Sequence, residues 1–125
     1  IANKYDEAFA NLPIKTPYRA DNIIHAFHLY VIQAENRKEL YDFLRENNIF
    51  SQVLYIPAHT MPYYKKLGWK IGDCPNAEDY YSKCLALPMF PSLTEEEQYE
   101  DDTKREAMQI ILEDILFVHL LVPTL

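Results

Sequence analysis

The first apolar positions of the chain recur at a helical period, and Pro13 then ends the predicted helix. Residues 13–22 hold two prolines and no periodicity, which predicts a loop. Because the chain starts partway through a helical pattern and without an initiator methionine, we expect it to be a piece of a longer protein. The helix face would hold Ile1, Tyr5, Ala8, Phe9 and Leu12.

Two later segments are rich in β-branched and aromatic residues and predict strands. The first is FHLYVIQ, residues 27–33, whose two faces are both largely apolar, as in a central strand. The second is IFSQVLYI, residues 49–56. LALPMFP, residues 85–91, predicts a short edge strand, where prolines are tolerated. We therefore expect a sheet of about three strands.

Helical patterns lie between and after these strands. Asn36 and Glu39 have the spacing of a capping box, and Asn47 and Asn48 predict a left-handed helix end. Strand, helix and strand are compatible with a βαβ unit, although the pattern does not fix the direction of the second strand. The apolar stripe of this helix would hold Leu40, Phe43 and Leu44.

The second half of the chain predicts three further helices. One is short, residues 61–67, and one begins at Pro75 and Asn76. Thr94 and Glu97 form a second capping box before the last helix. Together the predicted strands and helices indicate an α/β sandwich, a small sheet with helices packed against it. The apolar face of the helix after Pro75 would hold Ala77, Tyr80, Tyr81, Cys84 and Leu85.

Composition narrows the range of partners. The 125 residues suffice for one domain. The net charge is -7, and no basic stretch is longer than Lys65–Lys66. Both features argue against binding to nucleic acid, and the negative charge argues against binding to an anionic membrane surface. The apolar run near the C-terminus is too short and too charged for a membrane span, since Glu113 and Asp114 interrupt it. The opening residues have neither the basic nor the apolar region of a signal peptide, so we expect none.

The two cysteines, Cys74 and Cys84, are too few for a disulfide framework and lack the close Cys or His neighbours of a zinc site. We expect free thiols in a reducing cytoplasm and no metal. Gly68 and Gly72 are the only glycines, so a glycine-rich phosphate-binding loop is absent.

His59 is the histidine whose sequence context favours a binding role. It lies in a loop stiffened by Pro57 and Pro62, and Tyr63 and Tyr64 follow, with rings that can stack on a base or a sugar. The alternative is a turn histidine in solvent. The other histidines have no partner nearby in sequence: His25, His28 and His119.

An ordered set of short motifs runs from about residue 23 to residue 98. The set comprises H-L-Y (28–30), Y-x-P-x-H (55–59), P-Y-Y (62–64), G-D-x-P-x-A-E (72–78), L-P-x-x-P (87–91) and L-T-E-E (93–96). Each motif alone is weak, but their order resembles the C-terminal domain of the pyridoxal-phosphate (PLP)-dependent nucleotide-sugar aminotransferases of the DegT/DnrJ/StrS family. The most similar subgroup makes 4-amino-4,6-dideoxy sugars for pseudaminic acid.

The resemblance implies that the parent has two domains with different roles. Residues 1–22 would be the end of an interdomain helix and a loop, and residues 23–125 the small C-terminal domain. The Schiff-base lysine and the PLP site would belong to a large domain that this sequence does not contain. The parent would be a homodimer that transfers an amino group, with glutamate as the usual donor, to a 4-keto-6-deoxy sugar nucleotide. We expect the chain alone to be inactive and to bind no PLP.

In similar proteins the loop around His59 faces the substrate, so the resemblance implies that His59, Tyr63 and Tyr64 bind the nucleotide sugar. It implies no catalytic, cofactor-binding or metal-binding residue here. The tail, residues 101–125, is longer and more apolar than is usual in the family. It would dock on the large domain, pair two chains or reflect an altered reading frame. A stand-alone metabolite-binding or dimerisation module without catalysis is the alternative function.

Overall fold

Four α-helices, one 3₁₀ turn and two strands form residues 1–92, which is the part of the chain that the computed structural model describes. The predicted capping box at Thr94 and Glu97, the last helix, His119 and the apolar tail lie outside the described residues. The elements are α1 (Ala2–Phe9), β1 (Tyr30–Gln33), α2 (Arg37–Glu46), the 3₁₀ turn (Ala58–Thr60), α3 (Pro62–Lys66), α4 (Pro75–Lys83) and β2 (Cys84–Leu87).

Within residues 1–92 the sheet has two antiparallel strands, where the sequence predicted about three. In the register, Tyr30 lies opposite Leu87 and Gln33 opposite Cys84. The partner of β1 is therefore β2, and in residues 1–92 the strands and α2 do not form a parallel βαβ unit.

Most of the predicted strand 49–56 makes no sheet pairing in the described part of the chain. A single isolated bridge joins Gln52 to Ala86, and a second isolated bridge joins Lys15 to Gln33 on the other side of the sheet. The β-branched and aromatic residues of segment 49–56 favour extended chain, but a strand also needs a neighbour to pair with. The first predicted strand is likewise shorter, because Phe27 adopts φ 45 and pairing begins only at Tyr30.

Helix ends follow the predicted signals in part. Asn36 is the N-cap of α2, but its side chain makes no capping hydrogen bond. Asn48, with φ 60, takes the left-handed conformation just after α2, as predicted, whereas Asn47, the C-cap, has φ -93 and does not. The helix α4 ends at Lys83, so Cys84 and Leu85 belong to β2 and not to a helix face.

The core lies where α1 and α2 meet one face of the sheet. Tyr30 and Ile32 are two positions apart on β1 and share a face, and all four residues of β2 are buried. The hydroxyl of Tyr30 donates a 2.6 Å hydrogen bond to Asp6 of α1, and burial raises the pKa of Tyr30 to about 12. The buried cluster comprises Tyr5, Phe9, Tyr30, Ile32, Ala34, Leu40, Leu44, Leu85 and Leu87.

The described part of the chain thus has an α/β arrangement, as predicted. None of the helices in residues 1–92 combines the length and apolar character needed to cross a membrane.

Candidate functional site

The stretch from Pro57 to α3 is a rigid turn. Thr60 donates twice to the carbonyl oxygen of Pro57, from its backbone N–H (2.9 Å) and its hydroxyl (2.8 Å). Pro62 then occupies the first turn of α3, where its missing N–H costs nothing. These hydrogen bonds, together with Pro57 and Pro62, restrict the conformations open to the turn that carries His59.

His59 is buried, with 7% of its surface exposed, so the alternative of a turn histidine in solvent is wrong. Its Nε2 lies 2.7 Å from Oε1 of Glu78, in the first turn of α4. The same Oε1 accepts a 2.7 Å hydrogen bond from the backbone N–H of Gly72. One carboxylate oxygen thus joins the 3₁₀ turn, the loop before α4 and α4 itself.

The environment of Glu78 favours its charged form. The hydrogen bond from His59 and those from the backbone of Gly72 and Cys74 lower the pKa of the Glu78 carboxyl, and they outweigh the opposing effect of desolvation. An ionised carboxylate only accepts hydrogen bonds, so Nε2 of His59 carries the proton and donates. This contact is therefore a charge-assisted hydrogen bond.

Tyr63 and Tyr64 lie on α3, which packs against the turn that carries His59. Their rings meet edge to face, with centroids 5.3 Å apart and planes at 89°. Both remain accessible, with 67% of Tyr63 and 39% of Tyr64 exposed. The structure thus places the three predicted site residues on neighbouring elements, with one buried and two open to a ligand.

Glu78 is the residue that sequence reasoning missed at this site. Its motif, G-D-x-P-x-A-E, contributed to the resemblance without a role for the acid. An acid in the first turn of a helix that opens with Pro75 is explained by the helix dipole alone. Nothing in the sequence connects Glu78 to a histidine 19 positions earlier.

A cavity of about 550 Å³ lies elsewhere, between α1 and the loop before β1. Its polar lining comes from Asn3, Arg19 and His25. Arg19 is already paired with Asp6 and lies over the ring of Phe27. His59, Tyr63 and Tyr64 do not line this cavity, so it is separate from the site predicted from the sequence.

The resemblance to PLP enzymes can be tested against the lysines, because PLP is held through a lysine amine. Lysine is absent from the lining of the 550 Å³ cavity. Lys83 pairs with Glu35 and Asp79, and Lys38 pairs with Asp42. The 550 Å³ cavity therefore lacks the lysine amine through which PLP is held, and we derive no chemical step through the cofactor. In the same part of the chain, no group of three or more His, Cys, Asp or Glu is arranged to hold a metal ion.

Two relatives show what the chain is similar to. It is 41% identical over 106 residues to the spore coat polysaccharide biosynthesis protein SpsC of Bacillus subtilis (strain 168), covering 78% of this chain and 27% of SpsC. It is 32% identical over 98 residues to the dTDP-3-amino-3,6-dideoxy-alpha-D-galactopyranose transaminase of Aneurinibacillus thermoaerophilus, covering 78% of this chain and 26% of that protein. The chain spans about a quarter of the length of these curated relatives.

Solved structures share the fold. DesV of S. venezuelae, in complex with a ketimine intermediate, matches 91% of this chain and 30% of its own with a TM-score of 0.77 and 27% identity. The putative sugar aminotransferase Spr1654 of Streptococcus pneumoniae, in its PLP form, matches 90% of this chain and 30% of its own with a TM-score of 0.74 and 25% identity.

PseC of Helicobacter pylori, an aminotransferase involved in the biosynthesis of pseudoaminic acid, matches 92% of this chain and 30% of its own. The TM-score is 0.69, but at 24% identity the likeness shows the fold alone. It therefore does not establish the pseudaminic-acid subgroup that the motifs indicated.

The family model described as the DegT/DnrJ/EryC1/StrS aminotransferase family matches residues 1–100. The match covers four fifths of the 125 residues and includes the motifs at 28–30, 55–59, 62–64, 72–78, 87–91 and 93–96. The chain therefore belongs to the DegT/DnrJ/EryC1/StrS aminotransferase family.

Proposed function

We propose that this chain is the C-terminal small domain of a PLP-dependent sugar aminotransferase. The observation that carries the proposal is a family match through residues 1–100 in a chain that spans only 27% of SpsC and 26% of the Aneurinibacillus transaminase. Residues 1–22 are then the end of an interdomain helix with its loop, and residues 23–125 the small domain. The parent's other residues bind PLP and include the lysine that holds it.

The proposed reaction moves an amino group from an amino acid, glutamate, to a 4-keto-6-deoxy sugar nucleotide. The name of the Aneurinibacillus relative supports a nucleotide sugar as the substrate class. PLP, when bound in the parent, supplies the electron sink that such a transfer requires. Because no residue of this chain is assigned to that step, we expect the chain alone to be inactive. The order of the motifs is the basis of a finer proposal, namely that the parent belongs to the subgroup that makes 4-amino-4,6-dideoxy sugars for pseudaminic acid.

We assign substrate binding to His59, Tyr63 and Tyr64. The exposed tyrosine rings on α3 offer faces for stacking on a base or a sugar. Glu78 fixes one edge of the His59 ring through Nε2, and the other edge would face the ligand. A fixed side chain loses little entropy on binding, which favours a hydrogen bond between His59 and the nucleotide sugar.

The proposed protein partners are the large domain and a second copy of the parent. Several large apolar side chains in one segment are exposed, and a polypeptide partner would cover them. The two free thiols, Cys74 and Cys84, are consistent with a cytoplasmic protein. We define the 50–71 apolar group as Phe50, Val53, Tyr55, Ile56, Leu67, Trp69 and Ile71.

Steady-state kinetics of the full-length parent test the substrate assignment. His59→Gln and His59→Ala should raise KM for the nucleotide sugar about fivefold to tenfold, as expected for one lost hydrogen bond. His28→Ala removes an exposed histidine before β1 and serves as the control. Unchanged KM and kcat in folded His59 variants would overturn the assignment.

Activity of the short chain tests the domain assignment. Given PLP, glutamate and a keto-sugar nucleotide, the 125-residue chain should form no amino sugar, whereas the parent should. Turnover by the short chain would overturn the assignment of this chain as a small domain that needs the large domain for activity.

A further inference from the structure

Glu78 lies where three segments meet: the 3₁₀ turn that carries His59, the loop before α4 and α4 itself. Its Oε1 lies 2.7 Å from Nε2 of His59 and 2.7 Å from the backbone nitrogen of Gly72. Gly72 has φ 96, a conformation that disfavours side chains, so the loop there depends on glycine. The carboxylate fixes this loop and the histidine ring through a single oxygen atom.

The contact also determines which nitrogen of the ring is protonated. A neutral imidazole has one donor nitrogen and one acceptor nitrogen, and the bond made by one determines the role of the other. Because the Glu78 carboxylate only accepts, Nε2 is the donor. In the neutral ring, Nδ1 is then the acceptor.

We propose that Glu78 is the positioning residue of the substrate site, holding His59 as its Nε2–H tautomer so that Nδ1 accepts a hydrogen bond from a hydroxyl or N–H group of the nucleotide sugar. This inference rests on the proposed function of His59. It adds the direction of the hydrogen bond and the residue that determines it. Glu78 touches no substrate atom in this arrangement and acts through the histidine.

Substitutions at Glu78 separate geometry from hydrogen-bond direction. Glu78→Ala leaves the buried His59 nitrogen without its acceptor, which permits either tautomer. Glu78→Gln retains an oxygen that accepts from both His59 and Gly72, but its amide also donates and can select the opposite tautomer. We therefore expect Glu78→Gln to rescue part of the effect of Glu78→Ala.

Nitrogen-15 NMR of the 125-residue chain tests the tautomer without any substrate. Long-range correlations should show protonated Nε2 and unprotonated Nδ1 for His59 in the wild type, and a mixture in Glu78→Ala. A protonated Nδ1 in the wild type, as a neutral tautomer or as an imidazolium, would overturn the inference. So would an unchanged tautomer in folded Glu78→Ala. If that variant fails to fold, the wild-type tautomer alone decides the test, since the inference requires protonated Nε2 and unprotonated Nδ1.

Kinetics of the full-length parent test the link to binding. Glu78→Ala should raise KM for the nucleotide sugar about fivefold to tenfold with little change in kcat, and should add nothing in a His59→Ala background. Asp79→Ala, at the next position of α4 and paired with Lys83, is the matched control. If His59→Ala itself has no effect, the proposed function fails. If His59→Ala raises KM while Glu78→Ala does not, or the two effects add, only the positioning role fails.

Discussion

The hydroxyl of Tyr5 donates a 2.7 Å hydrogen bond to the carbonyl oxygen of Pro88, 83 positions away. The Tyr5 ring stacks on Phe9, with centroids 5.6 Å apart, and lies 4.9 Å from the ring of Tyr30. Burial raises the pKa of Tyr5 to about 12, so the hydroxyl remains a donor at neutral pH. This bond joins α1 to the residue that follows β2.

Removing this hydroxyl should weaken the fold measurably. Tyr5→Phe keeps the ring but leaves the Pro88 carbonyl without its donor, and we expect the free energy of unfolding to fall by about 1 kcal/mol. Urea denaturation monitored by circular dichroism provides the measurement. Tyr18→Phe, at a residue 87% exposed, is the control and should change stability by less than about 0.5 kcal/mol. Equal midpoints for Tyr5→Phe and wild type would show that the bond is not formed in solution.

The end of α2 gives a prediction about backbone conformation. Asn48 has φ 60, and its N–H donates to the carbonyl oxygen of Arg45. Asn48→Ala should cost about 1 kcal/mol because a Cβ without a polar partner disfavours this conformation, whereas Asn48→Gly should cost nothing. Chemical denaturation of both variants tests the pair. An alanine variant as stable as the glycine variant would contradict the left-handed conformation.

Local signals predicted the parts of the fold that depend on a few neighbouring residues. Asn36 and Asn48 bracket α2, and Pro62 and Pro75 open α3 and α4. Asn48, Pro62 and Pro75 act through their own backbone conformation, so sequence spacing is sufficient information. Asn36 takes the predicted N-cap position, but without the side-chain hydrogen bond of a capping box. The structured context of His59 was predicted in the same way, from the prolines around it.

Features that depend on distant partners could not be predicted in this way. The segment 49–56 has strand composition, but only Gln52 finds a pairing partner in residues 1–92, and that partner is 34 positions away. Cys84 and Leu85 continue the helical spacing of α4 and yet pair with β1. The hydrogen bond between His59 and Glu78 likewise depends on the path of the chain between them, which the periodicity of the sequence does not determine. Part of the candidate site was therefore visible from the sequence, and its carboxylate was not.

Acid titration of stability should reveal the Glu78 contacts. The pKa of Glu78 is lowered in the folded chain, whereas the pKa of an unfolded glutamate is about 4.3. The stabilisation is therefore fully present above that unfolded pKa and is lost as pH falls through the lower folded pKa. Urea midpoints of the wild type and Glu78→Gln should differ most at neutral pH and converge as the pH falls below the unfolded pKa and through the lower folded pKa.

The control for the acid titration is Glu7→Gln, which changes an exposed glutamate on α1. Its urea midpoint at neutral pH should lie close to that of the wild type, within about 0.5 kcal/mol of stability, as is usual for an exposed substitution. Parallel curves for wild type and Glu78→Gln would show that the carboxylate gains no stabilisation from His59 and Gly72.

The 50–71 apolar group distinguishes a domain that needs a partner from a stand-alone module. Leu67, Trp69 and Ile71 are 62%, 47% and 70% exposed. Such side chains in a partnerless chain should bind a dye such as anilinonaphthalene sulfonate, whose fluorescence rises on apolar surfaces. The double change Leu67→Lys and Ile71→Lys should lower that fluorescence, whereas Ile24→Lys, outside the group, should leave most of it.

In the full-length parent the same double change should weaken packing between domains or subunits and lower the thermal midpoint. A wild-type chain that binds no dye and stays monodisperse would instead favour the stand-alone module, because nothing would then require a polypeptide to cover this group.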